Sequence, residues 1–373
     1  MGPTSCTYKI FGKSIEVAFD ESRASEVLRR ELDLYPSGDN NAPPDLVIRC
    51  GTVLQPSDAR TNPGKHTDFD GGFISRFRSA TVGWEFENRR LTNIGFALQT
   101  HPTGYRRAAQ RWLSMQYTNA EEAVGQIFHE LVLVPSVYFD ETKFLVHASA
   151  LQAPSGETIL VGGTGGVGKT SLELELCLNH GFRFMADDVA VVSDDAVVWP
   201  NLSYPKIYGY NLENNPHLTK AVLEGQRMGD RLNWRIHSLR GLNRVRRRLS
   251  PLDLYGDAVA HSQPFSKYII LARENREDVR VDRIDSDMAA VLTVAVMDSE
   301  YEIFHQHLAW HEYNRGLARA RSVATRSDVM ERWKNVASNV FARGECYVLR
   351  VPEAMKHEAF KAEVGGMIAR GDI

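Results

Sequence analysis

The chain has 373 residues, 43% hydrophobic and 24% charged, with a net charge of −3. That composition excludes collagen-like, coiled-coil and wholly disordered chains, and no run approaches the ~18 uninterrupted apolar residues of a membrane helix or the apolar core of a signal peptide. The slightly acidic balance gives no pull toward nucleic acid, and four scattered cysteines (Cys6, Cys50, Cys177, Cys346) without a CxxC pair suit a reducing cytoplasm rather than a disulfide scaffold or cysteine zinc site.

Along the chain, short β-like runs at Tyr8–Phe11, Asp45–Cys50 and Ser79–Phe86 are separated by polar stretches such as the loop Pro36–Pro44. Thr118-Asn119-Ala120-Glu121-Glu122 reads as a helix start, with acids in the first turn, and an apolar helix follows to about Val134, before Pro135. This predicts an N-terminal α+β domain over 1–140, suited to recognising a substrate or partner, and a second domain over 141–373. In the second, Phe144–Leu151 and Thr158–Val161 read as strands. Ser171–His180 reads as a helix capped by Gly181. Taken alone, Ser171–Leu178 alternates with period two and fits a strand; the loop before it makes helix the better assignment. Phe182–Met185 is a further strand, and after Asp187-Asp188 a hairpin turns at Asp194-Asp195. Near the end, Glu345–Val351 reads as a strand and Lys356–Ile368 as a helix. The expected class is α/β, a mixed sheet with a hairpin after the acidic pair.

The strongest signal is Gly163-Thr164-Gly165-Gly166-Val167-Gly168-Lys169-Thr170, which fits GxxxxGK[ST] between a strand and a helix. Glycines let successive backbone N–H groups curl inward at phosphate oxygens, and the following helix, beginning near Ser171, adds its positive N-terminal end. In such a loop Lys169 reaches the β- and γ-phosphates and the Thr170 hydroxyl ligates Mg²⁺. A nucleoside triphosphate, ATP, with Mg²⁺ is therefore the expected ligand. NKxD is missing, and so is a long apolar strand ending in Asp-Glu. The acids lie 17 and 18 residues beyond Thr170 instead. Adjacent carboxylates at a strand end can divide two tasks, one holding the metal and one accepting a proton from a hydroxyl.

Taken together, His147-Ala148-Ser149-Ala150-Leu151, the loop and Ala186-Asp187-Asp188 resemble the catalytic domain of the HPr kinase/phosphorylase family. In flavour they are most similar to the HPr-kinase-like enzymes of peptide clusters, including kinases of lasso peptide precursors. The resemblance implies an HPr-kinase-like phosphate-loop domain in which Lys169 and Thr170 bind phosphates and Mg²⁺. It implies that Asp187 and Asp188 supply base and metal ligand, in either order, and that His147 lies near the transferred phosphate or tunes an Asp. Thr164 and Gly165 stand where that family often has an acid and a serine.

Among weaker signals, Arg240, Arg244, Arg246, Arg247 and Arg248 read as a loop or short exposed helix, either a solvated surface or a cationic arm for a triphosphate or acidic peptide. The run lacks the aromatic interleaving of a nucleic-acid site. Lys206, in Ser203–Tyr210, reads as a candidate phosphate contact in an otherwise packed loop. His305, His307 and His311 read as helix-surface or interface residues. The expected function is an ATP- and Mg²⁺-dependent kinase acting on a hydroxyl, foremost a Ser of a protein or peptide precursor. The alternatives are a small-molecule hydroxyl kinase and a nucleotide-binding switch that engages a partner protein.

Overall fold

The computed structural model describes residues 4–39, 41–99, 122–213, 215–224 and 228–373. They form a mixed α/β protein with sheets of eight, six, four and two strands. The eight-stranded sheet runs in the order Thr4–Ile10, Lys13–Phe19, Leu46–Cys50, Arg90–Leu98, Ala80–Glu87, Gly72–Arg76, His66–Phe69, Ala59–Asn62. Its strands pair antiparallel except Leu46–Cys50, which lies parallel to both neighbours. A parallel pairing needs a crossover, and helix Arg23–Leu32 lies in that connection. The sequence reading missed this helix. Its signals were a capping serine, Ser22, whose Oγ accepts the Ser25 N–H at 3.2 Å, and the i, i+4 pair Leu28 and Leu32, both buried.

The six-stranded sheet runs Arg183–Ala186, Ala148–Gln152, Thr158–Gly162, Lys267–Glu274, Glu345–Pro352, Arg280–Arg283. Its parallel centre, Thr158–Gly162 beside Lys267–Glu274 beside Glu345–Pro352, carries the mostly apolar runs expected of strands covered on both faces. The strand expected over Phe144–Leu151 is broken at His147. Lys143–Val146 pairs with Ala190–Ser193 in the four-stranded sheet, whereas Ala148–Gln152 belongs to the six-stranded one. Nothing in this apolar run signals a change of sheet, because the change is dictated by the partners and not by local propensity. The helix after the loop spans Lys169–Asn179, and Gly181 takes the left-handed conformation with φ 71°. The hairpin Ala190–Ser193 to Val197–Trp199 follows the acidic pair. The late strand is Glu345–Pro352, and the terminal helix spans His357–Arg370 through a π turn at Lys361–Gly365.

Helix Glu122–Phe128 continues through irregular turns to Phe139; the expected helix start at 118–121 lies outside the described residues. Helices Ser286–Glu300, Glu302–Leu317 and Arg326–Phe341 cover the remaining core. One apolar cluster runs from Tyr8 and Trp84 in the first sheet through Phe128, Tyr138 and Phe144 to Phe304, Trp333 and Phe341. The eight-stranded sheet therefore shares a core with the rest of the chain. No helix among the described residues is long and apolar enough to cross a membrane.

Candidate active site

Antiparallel pairing gathers the site. Ala148 pairs with Gly162, the last residue of the strand before the glycine-rich loop, and Ala150 pairs with Ala186, the residue before the acids. His147, the loop and Asp187-Asp188 therefore meet at one end of the six-stranded sheet. They line a cavity of about 780 Å³.

Within the loop, Gly163 has φ 132° and a Cβ there would stand 2.6 Å from the Leu271 carbonyl oxygen. Gly168 has φ 112° and a Cβ would meet the Phe360 ring at 2.6 Å. Both positions need glycine on conformational and steric grounds. Arg273 lies over Phe360, 4.2 Å from its centroid, and its Nε donates to the Val167 carbonyl at 3.3 Å, clamping the second half of the loop. Thr164, Gly165 and Gly166 are exposed, and the two glycines border the cavity. Lys169 is buried and its Nζ donates to the carbonyls of Gly163 (3.1 Å) and Thr164 (2.9 Å). Burial pushes its pKa down, partly offset by the charges of Asp188 and Asp187. Ser171 points elsewhere: His357 Nε2 and Asn211 Nδ2 hold its Oγ at 2.9 and 3.2 Å.

The two acids occupy different environments. Asp187 is buried; its Oδ1 accepts the Thr170 hydroxyl and its Oδ2 the Lys206 N–H, each at 3.1 Å. Burial, reinforced by Asp188, raises its pKa. Asp188 has φ 71°, in the left-handed region, and the Val189 N–H closes back on the Asp187 carbonyl at 2.8 Å. A non-glycine residue held there costs on the order of 1–3 kcal/mol. The turn sends the two carboxylates apart, and that of Asp188 is 38% exposed. Burial alone would raise its pKa, but Lys206, then His147, outweigh that and hold it below the usual carboxylate range. Lys206 Nζ donates to Asp188 Oδ2 at 2.6 Å and to Glu130 Oε1 at 2.7 Å. His147 is buried, and among the described residues neither ring nitrogen has a hydrogen-bond partner. Its Nδ1 faces Asp188 Oδ1 at 3.7 Å and its Nε2 faces Glu300 Oε1 at 3.8 Å. Burial lowers its pKa, opposed by Asp188.

Sequence reasoning missed Glu130, Glu300, Arg78, Tyr208 and Tyr210, which also line the cavity. Glu130, Glu300 and Arg78 come from separate elements, and no spacing links them to the loop; Tyr208 and Tyr210 follow Lys206 in the stretch that reads as a packed loop. It also missed Glu173, fully buried behind the pair, which accepts the Tyr255 hydroxyl at 2.7 Å. Burial, then the charge of Asp187, raises its pKa well above the usual range.

The arginine run is not a loop or exposed helix throughout. Arg246–Arg248 form a strand antiparallel to Lys206–Tyr208. Arg247 and Arg248 are buried, and Arg248 pairs with Glu31 of the N-terminal helix. Arg246 borders the cavity, its Nη1 donating to the Tyr208 hydroxyl at 3.0 Å. Arg240 and Arg244 are exposed and do not line the cavity. A run of arginines looks solvated in sequence; here a buried carboxylate 217 residues away takes one of them in.

His305, His307 and His311 are likewise buried rather than on the helix surface. They face Tyr138 and the first sheet: Tyr138 Oη meets His305 Nε2 at 2.9 Å, and His66 Nδ1 meets His307 Nδ1 at 3.4 Å. His66, Asp68 and His311 bring ligand atoms within 4.8 Å of one another. However, the Val323 N–H donates to His311 Nε2 at 3.2 Å, which puts the ring proton on Nδ1, where it is donated to Asp68. A metal ligand needs a lone pair at that nitrogen, so His311 and Asp68 form a hydrogen-bonded pair.

No family model and no curated protein matches the sequence. Among solved structures, the chain matches the HPr(Ser) kinase/phosphatase from Coxiella burnetii at 12% identity and a TM-score of 0.29, over 61% of this chain and 96% of that one.

Proposed function

We propose that the chain is an ATP- and Mg²⁺-dependent phosphotransferase that moves the γ-phosphoryl group to a hydroxyl, foremost that of a Ser in a protein or peptide. The observation that carries this reading is the contact between the Thr170 hydroxyl and Asp187, 3.1 Å apart directly beside Lys169 in a glycine-rich loop that opens on the cavity. The donor set suits a hard cation next to phosphates: one hydroxyl and one carboxylate, leaving other positions for water and phosphate oxygens. Thr170 and Asp187 would hold Mg²⁺, which when bound supplies neutralisation of phosphate charge.

The remaining chemistry belongs to the chain's own residues. The exposed amides of Gly165 and Gly166 and the N-terminal end of helix Lys169–Asn179 bind phosphate oxygens. Lys169 leaves two loop carbonyls for the phosphates, an exchange of neutral acceptors for charged ones. Asp188, ionised and turned toward the cavity, accepts the proton of the acceptor hydroxyl. Lys206 holds it in place, and His147 stands beside it. The division at about residue 140 belongs to the same reading, with the N-terminal sheet serving recognition.

The test is transfer from γ-labelled ATP with Mg²⁺ to a library of Ser-containing peptides, wild type against Lys169→Ala. Label on a Ser hydroxyl with the wild type only is expected. Nucleotide binding with no transfer to any hydroxyl, peptide or small molecule, would refute the kinase reading.

A further inference from the structure

Residues 77–80 form the tight turn between strands Gly72–Arg76 and Ala80–Glu87. The Phe77 N–H donates to the Ala80 carbonyl at 2.8 Å, and the Gln99 N–H to the Ser79 carbonyl at 2.9 Å, so the turn's backbone is fixed. Phe77 is buried, its ring edge-on to His307 at 4.7 Å. Between these anchors Arg78 is exposed, lines the cavity with the glycine-rich loop, and makes no hydrogen bond or ion pair among the described residues.

The cavity's other cations are engaged. Lys169 holds two loop carbonyls, Lys206 is shared by Glu130 and Asp188, and Arg246 donates to Tyr208. Facing them are the carboxylates of Glu130, Asp187, Asp188 and Glu300. Glu300 lies against the middle of the loop: a Cβ on Gly165 would stand 3.5 Å from its Oε1. A triphosphate seated on the loop therefore carries its terminal charge toward a carboxylate. The cavity-lining Ile303 is one helical turn before His307, the residue on which Phe77 rests. The hairpin tip thus comes in on the side of Glu300.

We propose that Arg78 is a catalytic residue that binds the terminal phosphate of the nucleotide, delivered in cis from the tip of an N-terminal hairpin. This rests on the nucleotide-binding reading above. A guanidinium matches two phosphate oxygens at once and stays charged throughout, so no proton moves. It compensates the Glu300 carboxylate in the ground state and binds the charge spread over the equatorial oxygens during transfer. The turn has already ordered its backbone, so binding orders only the side chain.

The experiment is calorimetric titration of the full chain with Mg²⁺ and either ADP or a non-hydrolysable ATP analogue, for wild type, Arg78→Ala and Arg78→Lys. For Arg78→Ala, the analogue's Kd should rise about tenfold or more, the value of one charge-assisted contact, and ADP affinity should change less than about twofold. Arg78→Lys should recover part of the loss, because it keeps the charge and loses the fork. Equal loss for both nucleotides, or none for either, overturns the proposal; the second result would also be seen if Arg78 served an anionic acceptor. A wild type that binds neither nucleotide refutes the nucleotide reading itself. Wild-type binding of both, with an unchanged ratio in Arg78→Ala, refutes this inference alone. Arg78 is exposed, so an unchanged melting curve checks that the variant is folded.

Discussion

Replacing Glu31 by alanine should cost about 3–5 kcal/mol of folding stability, the penalty for leaving a buried charge unpaired. Both partners are buried, with side-chain exposures of 2% for Glu31 and 1% for Arg248. Arg248 reaches both carboxylate oxygens, the Tyr204 N–H donates to Oε1 at 3.2 Å, and His129 Nδ1 stands 3.3 Å away. Gly125 makes room: a Cβ there would stand 1.7 Å from Glu31 Oε2. Burial alone would raise the Glu31 pKa, but Arg248, then His129, outweigh it and lower it. A depressed carboxylate stabilises the fold above its unfolded pKa of about 4.3, and that contribution is lost as pH falls through the folded value. The assay is urea unfolding of the wild type, Glu31→Ala and Glu31→Leu/Arg248→Met. The double variant should recover most of the stability, since apolar groups can replace a buried pair at little cost. Its turnover should stay low, because Tyr204 loses its anchor two residues before the Lys206 amide that holds Asp187. A single variant losing less than about 1 kcal/mol, or a double variant no more stable than the single, would refute the reasoning.

Lys169→Ala should lower phosphoryl transfer to below about a tenth of wild type. Because the amine is buried on two loop carbonyls, it should also cost about 1–3 kcal/mol of stability, read by urea unfolding. Asp187→Asn should raise the Mg²⁺ concentration needed for half-maximal rate, while Asp188→Asn should lower kcat with nucleotide Kd nearly intact; normal kinetics in both would dismiss the pair. His307 is pushed down to about 3 by burial, then by His66 and Arg76. Its neutral form stabilises the fold fully above about pH 6.5 and loses up to ~1.4 kcal/mol per unit as pH falls toward 3. In His307→Gln, stability should therefore fall less steeply between about pH 6 and 4, by about one proton's slope; equal slopes would contradict the assignment.

The glycine-rich loop and the helix after it were legible in sequence because each depends on contacts within a few residues, and the acidic pair was legible from its spacing after the loop. So was the helix over a period-two pattern, where loop chemistry outweighed alternation. Even the cap at Gly181 follows from local conformation. The rest was decided in three dimensions. His147 sits where an apolar run passes from one sheet to another, and only the pairings of Val146 with Ala190 and Ala148 with Gly162 reveal it. The arginine run had no local reason to be buried; Arg248 is buried because helix Arg23–Leu32 brings Glu31 to it. Asp187 and Asp188 are equivalent in sequence, and a left-handed turn and the amide and amine of Lys206 make one buried and one open. Glu130, Glu300 and Arg78 reach the cavity from three separate elements. Local chemistry sets what a short segment can do, whereas the pKa, burial and partners of its side chains are set by charges and surfaces that the fold brings from far along the chain.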